Sequence, residues 1–193
     1  MKIYKLLILI SFSISSFSQT KVEINFHIEN DSSIVKYLKE KKIDFSNNQI
    51  ATLKNFKTFA EYSRDGKLII PEAIFYNSKG EQINNKGRGV NCSSEIKKLE
   101  KISKMKSNPN NTLNDFLTDI NIIENEKIVE DNIDLYIIIT WGKFLYTESE
   151  TSFNWFSKIR KIKDMKIKLL LLNLDIQENW NMTEVQKKTL GLM

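Results

Sequence analysis

Hydrophobic and polar positions change period several times along this chain, and the most apolar stretch lies near its C-terminal end. Leu135-Tyr136-Ile137-Ile138-Ile139 runs without a polar break into Thr140-Trp141-Gly142-Lys143-Phe144. Phe153, Trp155, Phe156, Ile159 and Ile162 then recur at helical spacing, and a second apolar run spans Ile167 to Leu174. Two continuous β-rich runs around an amphipathic helix predict a βαβ unit. Runs without alternation suit parallel strands buried on both faces.

Upstream the periods are shorter. Lys21 to Ile28 alternates strictly, with Val22, Ile24, Phe26 and Ile28 on one face, which predicts a half-buried strand. Asp31 or Ser32 can cap a short helix carrying Ile34, Tyr37 and Leu38. Asn47 or Asn48 can cap another, with Ile50, Leu53, Phe56 and Ala60 on one stripe, and Asp65-Gly66 ends it. Leu68 to Tyr76 reads as a strand interrupted by Pro71, which has no N–H to donate and so marks a strand start or an edge. Asn77-Ser78-Lys79-Gly80 is a hairpin turn, with Glu81 to Ile83 as the return strand. Asn84 to Asn91 is a polar, glycine-bearing loop, after which Ser93 or Ser94 caps a helix with Ile96, Leu99 and Ile102. Asn108-Pro109-Asn110-Asn111 breaks the chain and suggests a hinge near 107–112. Thr112 caps a helix striped by Leu113, Phe116, Leu117 and Ile120, and Thr183-Glu184-Val185-Gln186 forms a capping box for a last one.

Composition adds an address. Lys2 and Lys5, the apolar Leu6 to Ile10, and small residues at Ser16 and Ser18 are the three parts of a secretory signal peptide. Residues 1–18 are therefore expected to be removed, leaving one domain over 19–193 in the periplasm or outside the cell. No later apolar run is long enough to span a bilayer. Loss of Lys2 and Lys5 takes the formal charge from +5 to +3, a mild excess scattered among glutamates, so nucleic acid is not an expected partner. The best basic run, Lys158-Arg160-Lys161-Lys163, reads as the solvated face of the βαβ helix.

The segment Ile70-Pro71-Glu72-Ala73-Ile74-Phe75-Tyr76, with its Ser78-Lys79-Gly80 turn, return strand and Ser-capped helix, resembles the C-terminal half of thioredoxin. There a cis-proline opens a strand, a hairpin follows and a helix closes the domain. Leu135 to Asp175 is similar to the other half, in which a strand ends in Trp-Cys-x-x-Cys at the start of a helix. Trp141 stands where the family has its tryptophan. Two departures matter. Gly142-Lys143-Phe144-Leu145 replaces the thiols, and the halves come in reverse order. The resemblance implies a thioredoxin-like α/β sandwich, with a mixed central sheet flanked by helices and permuted connectivity. Another α/β sandwich with a mixed sheet is the alternative.

It also implies a binding site in which Pro71 lies beside Trp141, Gly142 and Lys143 at one end of the sheet. The bland counterpart is a trans proline and a tryptophan that caps the core. Cys92, the only cysteine, precedes a predicted helix start, where a dipole can lower a thiol pKa. It is the weak catalytic candidate, with an inert shielded thiol as its counterpart. His27 is the only histidine, and nothing in its sequence context pairs it with Cys92. No metal site and no cofactor are expected from these residue types. Lys86-Gly87-Arg88-Gly89 reads as a flexible basic turn. Two functions stand: a non-catalytic module that binds a protein partner, and a single-cysteine thiol enzyme. The missing CxxC favours the first.

Overall fold

The computed structural model describes residues 26–84, 98–124, 128–130 and 132–192. In them the chain forms β1 (Ile28–Glu29), α1 (Asp31–Glu40), β2 (Ile50–Leu53), α2 (Phe56–Arg64), β3 (Ala73–Asn77) and β4 (Glu81–Ile83). There follow α3 (Leu99–Ser103), β5 (Ser107–Thr112), α4 (Leu113–Leu117), β6 (Ile120–Ile122) and β7 (Leu135–Trp141). The last elements are α5 (Tyr146–Ile159), β8 (Ile167–Asn173), β9 (Ile176–Gln177) and α6 (Glu184–Thr189). The protein is α/β, with a mixed seven-stranded sheet in the order β5-β4-β3-β7-β8-β2-β6 flanked by helices.

The βαβ unit forms as its apolar runs predict. β7 is the middle strand, and every residue in it is buried. It pairs in parallel with β8 from Leu135–Ile167 to Trp141–Asn173, with α5 as the connection. β8 pairs in parallel with β2, whereas β3 and β6 join antiparallel on either side. Alternation along β7 divides the core. Leu135, Ile137, Ile139 and Trp141 face α1, α3 and α5. Tyr136 and Ile138 face Phe59 of α2, Phe116 of α4 and Trp180. Among the described residues, no helix is long and apolar enough to cross a membrane.

Five expectations change. Ile120, expected on the helix that Thr112 caps, opens β6, because α4 ends at Leu117. Ile50 to Leu53 is a strand, not the first turn of a helix, and all four of its side chains are buried. The helix begins only at Phe56, where Asn55 Oδ1 accepts from Thr58 N at 2.9 Å. Asn108-Pro109-Asn110-Asn111 lies within β5 and is not a break. β5 is an edge strand of the sheet, where a residue without an N–H is tolerated. Asn30, rather than Asp31 or Ser32, caps α1, with Asn30 Oδ1 accepting from Ser33 N at 3.0 Å. At β1 the expected faces are exchanged, since Ile28 is 43% exposed and Glu29 only 5%. β1 is a two-residue strand paired with β9 alone, and the inward position is taken by a carboxylate that meets a lysine there. The strand residues up to 25, the removable leader, the Ser93 and Ser94 caps, Cys92 and the Lys86–Gly89 turn lie outside the described residues.

The remaining turns follow their residues. Gly80 has φ +75° after Asn77-Ser78-Lys79 and Gly66 has φ +65° after α2, both in the left-handed region that glycine enters without steric cost. Thr112 and Thr183 cap α4 and α6 through their hydroxyls.

Candidate functional site

Parallel strands in open α/β sheets present their carboxyl ends as a crevice, and the end of β7 is that position here. The Ile70–Pro71 bond is cis, and Pro71 is half-buried. The β3–β7 ladder continues past Ala73–Ile139, since Thr140 N donates to Glu72 O at 3.0 Å and Glu72 N to Thr140 Oγ1 at 2.9 Å. The Thr140 hydroxyl in turn donates to Ile69 O at 2.6 Å. Pro71 therefore reaches the sheet end at which β7 terminates in Trp141.

Trp141 presents no surface there. It is fully buried, stacked on Tyr37 with centroids 5.8 Å apart and edge-on to Phe153 at 5.2 Å. Its ring completes the core layer beneath α1 and α5, which is the packing role its size favours. The indole Nε1 and the Tyr37 hydroxyl are both buried with no hydrogen-bond partner among the described residues. Gly142 is extended, with φ −166°, so its backbone needs no glycine. Space is the constraint, because a Cβ would lie 2.7 Å from Phe144 Cε1 and 3.1 Å from Ile70 Cδ1. What approaches Gly142 closely is this chain's own side chains.

The helix start is held by a carboxylate that the sequence reading missed. Asp175, 2% exposed, accepts from Lys143 N at 2.9 Å to each oxygen and from Phe144 N at 3.3 Å. Asn173 Nδ2 donates to it at 2.6 Å, and Gln177 Nε2 donates to Asn173 Oδ1 at 3.0 Å. The amides of the first turn before α5 thus meet carboxyl oxygens supplied from the end of β8. Burial pushes the Asp175 carboxyl up, against the N–H donors from Lys143, Asn173 and Phe144. Lys143 Nζ turns to Glu29 Oε1 at 2.5 Å and lies 5.3 Å from the Tyr37 ring centroid. Asn173, Asp175 and Gln177 alternate directly after an apolar strand. Such spacing keeps three polar side chains on one side of the chain, and it was the available signal.

The opposite face of the sheet holds a cavity of about 390 Å³. Its floor is apolar, with Ile74, Phe116, Leu172 and Leu174, and its rim carries Asp65, Glu72, Asp115 and Asp119 against Lys67. Asp119 accepts the Tyr62 hydroxyl at 3.1 Å, and Asp115 accepts the Thr112 hydroxyl at 2.7 Å. Burial and then the Asp119 charge push the Tyr62 phenol well above its ordinary range. Lys67 Nζ pairs with Asp65 at 3.4 Å. None of these acidic residues stood among the sequence candidates, because they come from separate segments that only the fold brings together. His27 is exposed, and among the described residues no cluster of His, Cys, Asp or Glu is arranged to hold a metal ion. No protein family, curated protein or solved structure matches this chain.

Proposed function

We propose that this protein is an exported, thioredoxin-like binding module that carries out no dithiol chemistry. The observation that carries the proposal is the occupancy of the helix start after the middle strand. Gly142, Lys143, Phe144 and Leu145 supply no sulfur, and Asp175 accepts the amides of Lys143 and Phe144. A mixed disulfide needs a thiolate at that place and a second thiol to resolve it. The Asp175 carboxyl already accepts the amides that would otherwise favour an ionised cysteine there.

The thioredoxin-like part of the proposal draws support from strand neighbourhood. The hairpin β4-β3 lies antiparallel beside β7, β7 lies parallel to β8, and α5 follows β7. This is the spatial arrangement of proline hairpin and tip-bearing βαβ that the family uses, reached here with the hairpin first in the chain. β2 and β6 extend the sheet beyond it. The partner is a protein segment recruited to the sheet end near Pro71, without help from the buried Trp141 ring.

Reduction of insulin by dithiothreitol tests the chemistry. The expected rate is that of buffer alone. Turnover above it that vanishes in Cys92→Ser would overturn the proposal in favour of a single-cysteine enzyme. Intact-mass measurement of protein recovered from the cell envelope or medium tests the export. A chain beginning at Gln19 is expected, and a chain retaining Met1 in the cytoplasm would refute it.

A further inference from the structure

We infer that Phe26 is a displaceable plug, and that the slot it fills at the sheet end takes an aromatic side chain presented by a protein partner. The inference rests on the reading of this end as a partner site and names the chemistry that the site selects.

The slot is built from apolar residues of separate segments. Phe59 of α2 is 3% exposed and is backed by Trp180, with ring centroids 5.6 Å apart. Phe144 is half-buried and crowds Gly142 together with Ile70, the residue that precedes Pro71. Phe26 lies against both rings. Its centroid is 4.9 Å from that of Phe144, with the rings tilted, and 6.0 Å from that of Phe59, with the rings edge to face. Tilted and edge-to-face contacts at this range add attraction beyond the area they bury, so the slot favours a ring over an aliphatic side chain. Trp180 Nε1 is already committed to Leu53 O at 3.0 Å. A charged side chain entering the slot would lose hydration without gaining a hydrogen bond from these residues.

The anchors of the N-terminal segment come after Phe26. Pairing with β9 starts at Ile28, Glu29 Oε1 accepts from Lys143 Nζ at 2.5 Å, and Asn30 Nδ2 donates to Glu178 Oε2 at 3.2 Å. Phe26 itself is only half-buried, and His27 between it and β1 is exposed. A backbone rotation at Phe26 and His27 therefore lifts the ring away while β1 and the Glu29–Lys143 pair stay in place. What the fold loses is aromatic contact, and a partner's ring restores it. A ring tethered this way competes at an effective concentration on the order of millimolar. Removing it raises apparent affinity by the reciprocal of the open fraction.

Titration calorimetry with two blocked hexapeptides tests the slot. One carries the sequence of residues 23–28, and the other has alanine in place of Phe26. Wild type is expected to bind the aromatic peptide at millimolar concentration, Phe26→Ala about tenfold more tightly, and neither protein the alanine peptide. Phe26→Ala should keep a cooperative melt, and the Ile70 methyl resonance should shift as the aromatic peptide is added. Insulin reduction answers the non-redox reading separately, so a failure of either is recognisable without the other. The inference is overturned if Phe26→Ala binds the aromatic peptide no better than wild type, or if the alanine peptide binds equally. Loss of the cooperative melt in Phe26→Ala would also overturn it, since Phe26 would then be core rather than plug. A wild-type dimer that dissociates in Phe26→Ala would give the slot to a second copy of the chain and overturn the assignment to a separate partner.

Discussion

Removing the Asp175 carboxylate tests most directly how the end of the sheet is held together. Asp175→Ala leaves the Lys143 and Phe144 amides and the Asn173 side-chain amide without their acceptor. A buried donor left unpaired costs about 1–3 kcal/mol. With one of the three rehydrated through the space vacated, a loss of about 3–5 kcal/mol is expected, a large fraction of a typical domain's stability. Asp175→Asn keeps one oxygen and should cost about 1–2 kcal/mol at neutral pH. The pH dependence separates the charge from the hydrogen bonds. Burial raises the Asp175 pKa, so the folded state takes up this proton more readily than the unfolded chain. The contribution is full below the unfolded carboxylate value and lost as pH rises through the folded one. The stability gap between wild type and Asp175→Asn should therefore widen as pH falls from 7 toward about 4. Urea unfolding at a series of pH values, with the slope held constant, measures both quantities. Asp175→Ala within about 0.5 kcal/mol of wild type would refute the capping argument, since that is the range of a bland surface change. A gap that narrows on acidification would show that the N–H donors outweigh burial.

Three further outcomes are expected. Ile138→Asp puts an unpaired charge at a site 1% exposed in the middle strand and should abolish the cooperative melt, and a melt close to wild type would show that β7 is not core. Trp141→Ala should cost about 3–5 kcal/mol, whereas Trp141→Phe should cost much less, because the indole N–H it deletes has no partner; equal losses by chemical denaturation would mean that Nε1 is bonded. Glu81 accepts from Ser107 Oγ at 2.5 Å and Asn77 Nδ2 at 3.0 Å, and these bonds lower its pKa. The advantage of Glu81 over Gln should be present at neutral pH and fade as pH falls through the lowered value, and a pH-independent difference would contradict the assignment.

Legibility in the sequence followed the strength of each local signal. Leu135 to Ile139 and Ile167 to Leu174 were readable as parallel strands because an unbroken apolar run around an amphipathic helix has few alternatives. Ile50 to Leu53 was not readable. Ile50, Leu53, Phe56 and Ala60 satisfy a helical spacing, yet Ala51 and Thr52 are equally buried, and a four-residue apolar segment fits either period. The Asn-Pro-Asn-Asn stretch carries strong turn chemistry, and only its position at the sheet edge makes a strand of it. At the candidate site, Pro71 and Trp141 were found because each is a residue type with a restricted role. Asp175 was not, since its neighbours Asn173 and Gln177 read as an ordinary polar exit from a strand. Nor were Asp115, Asp119 and Tyr76, which lie in α4, the turn after it and β3, and meet only through tertiary packing.

At the sheet end each ionic group is answered from within the chain. Asp175 takes two amides, and Lys143 takes Glu29. A partner that competed for any of these groups would have to break an internal bond and leave its former partner unpaired, which is costly when one member is buried. Under the proposed binding role, recognition there would work through backbone and shape near Pro71 rather than through charge.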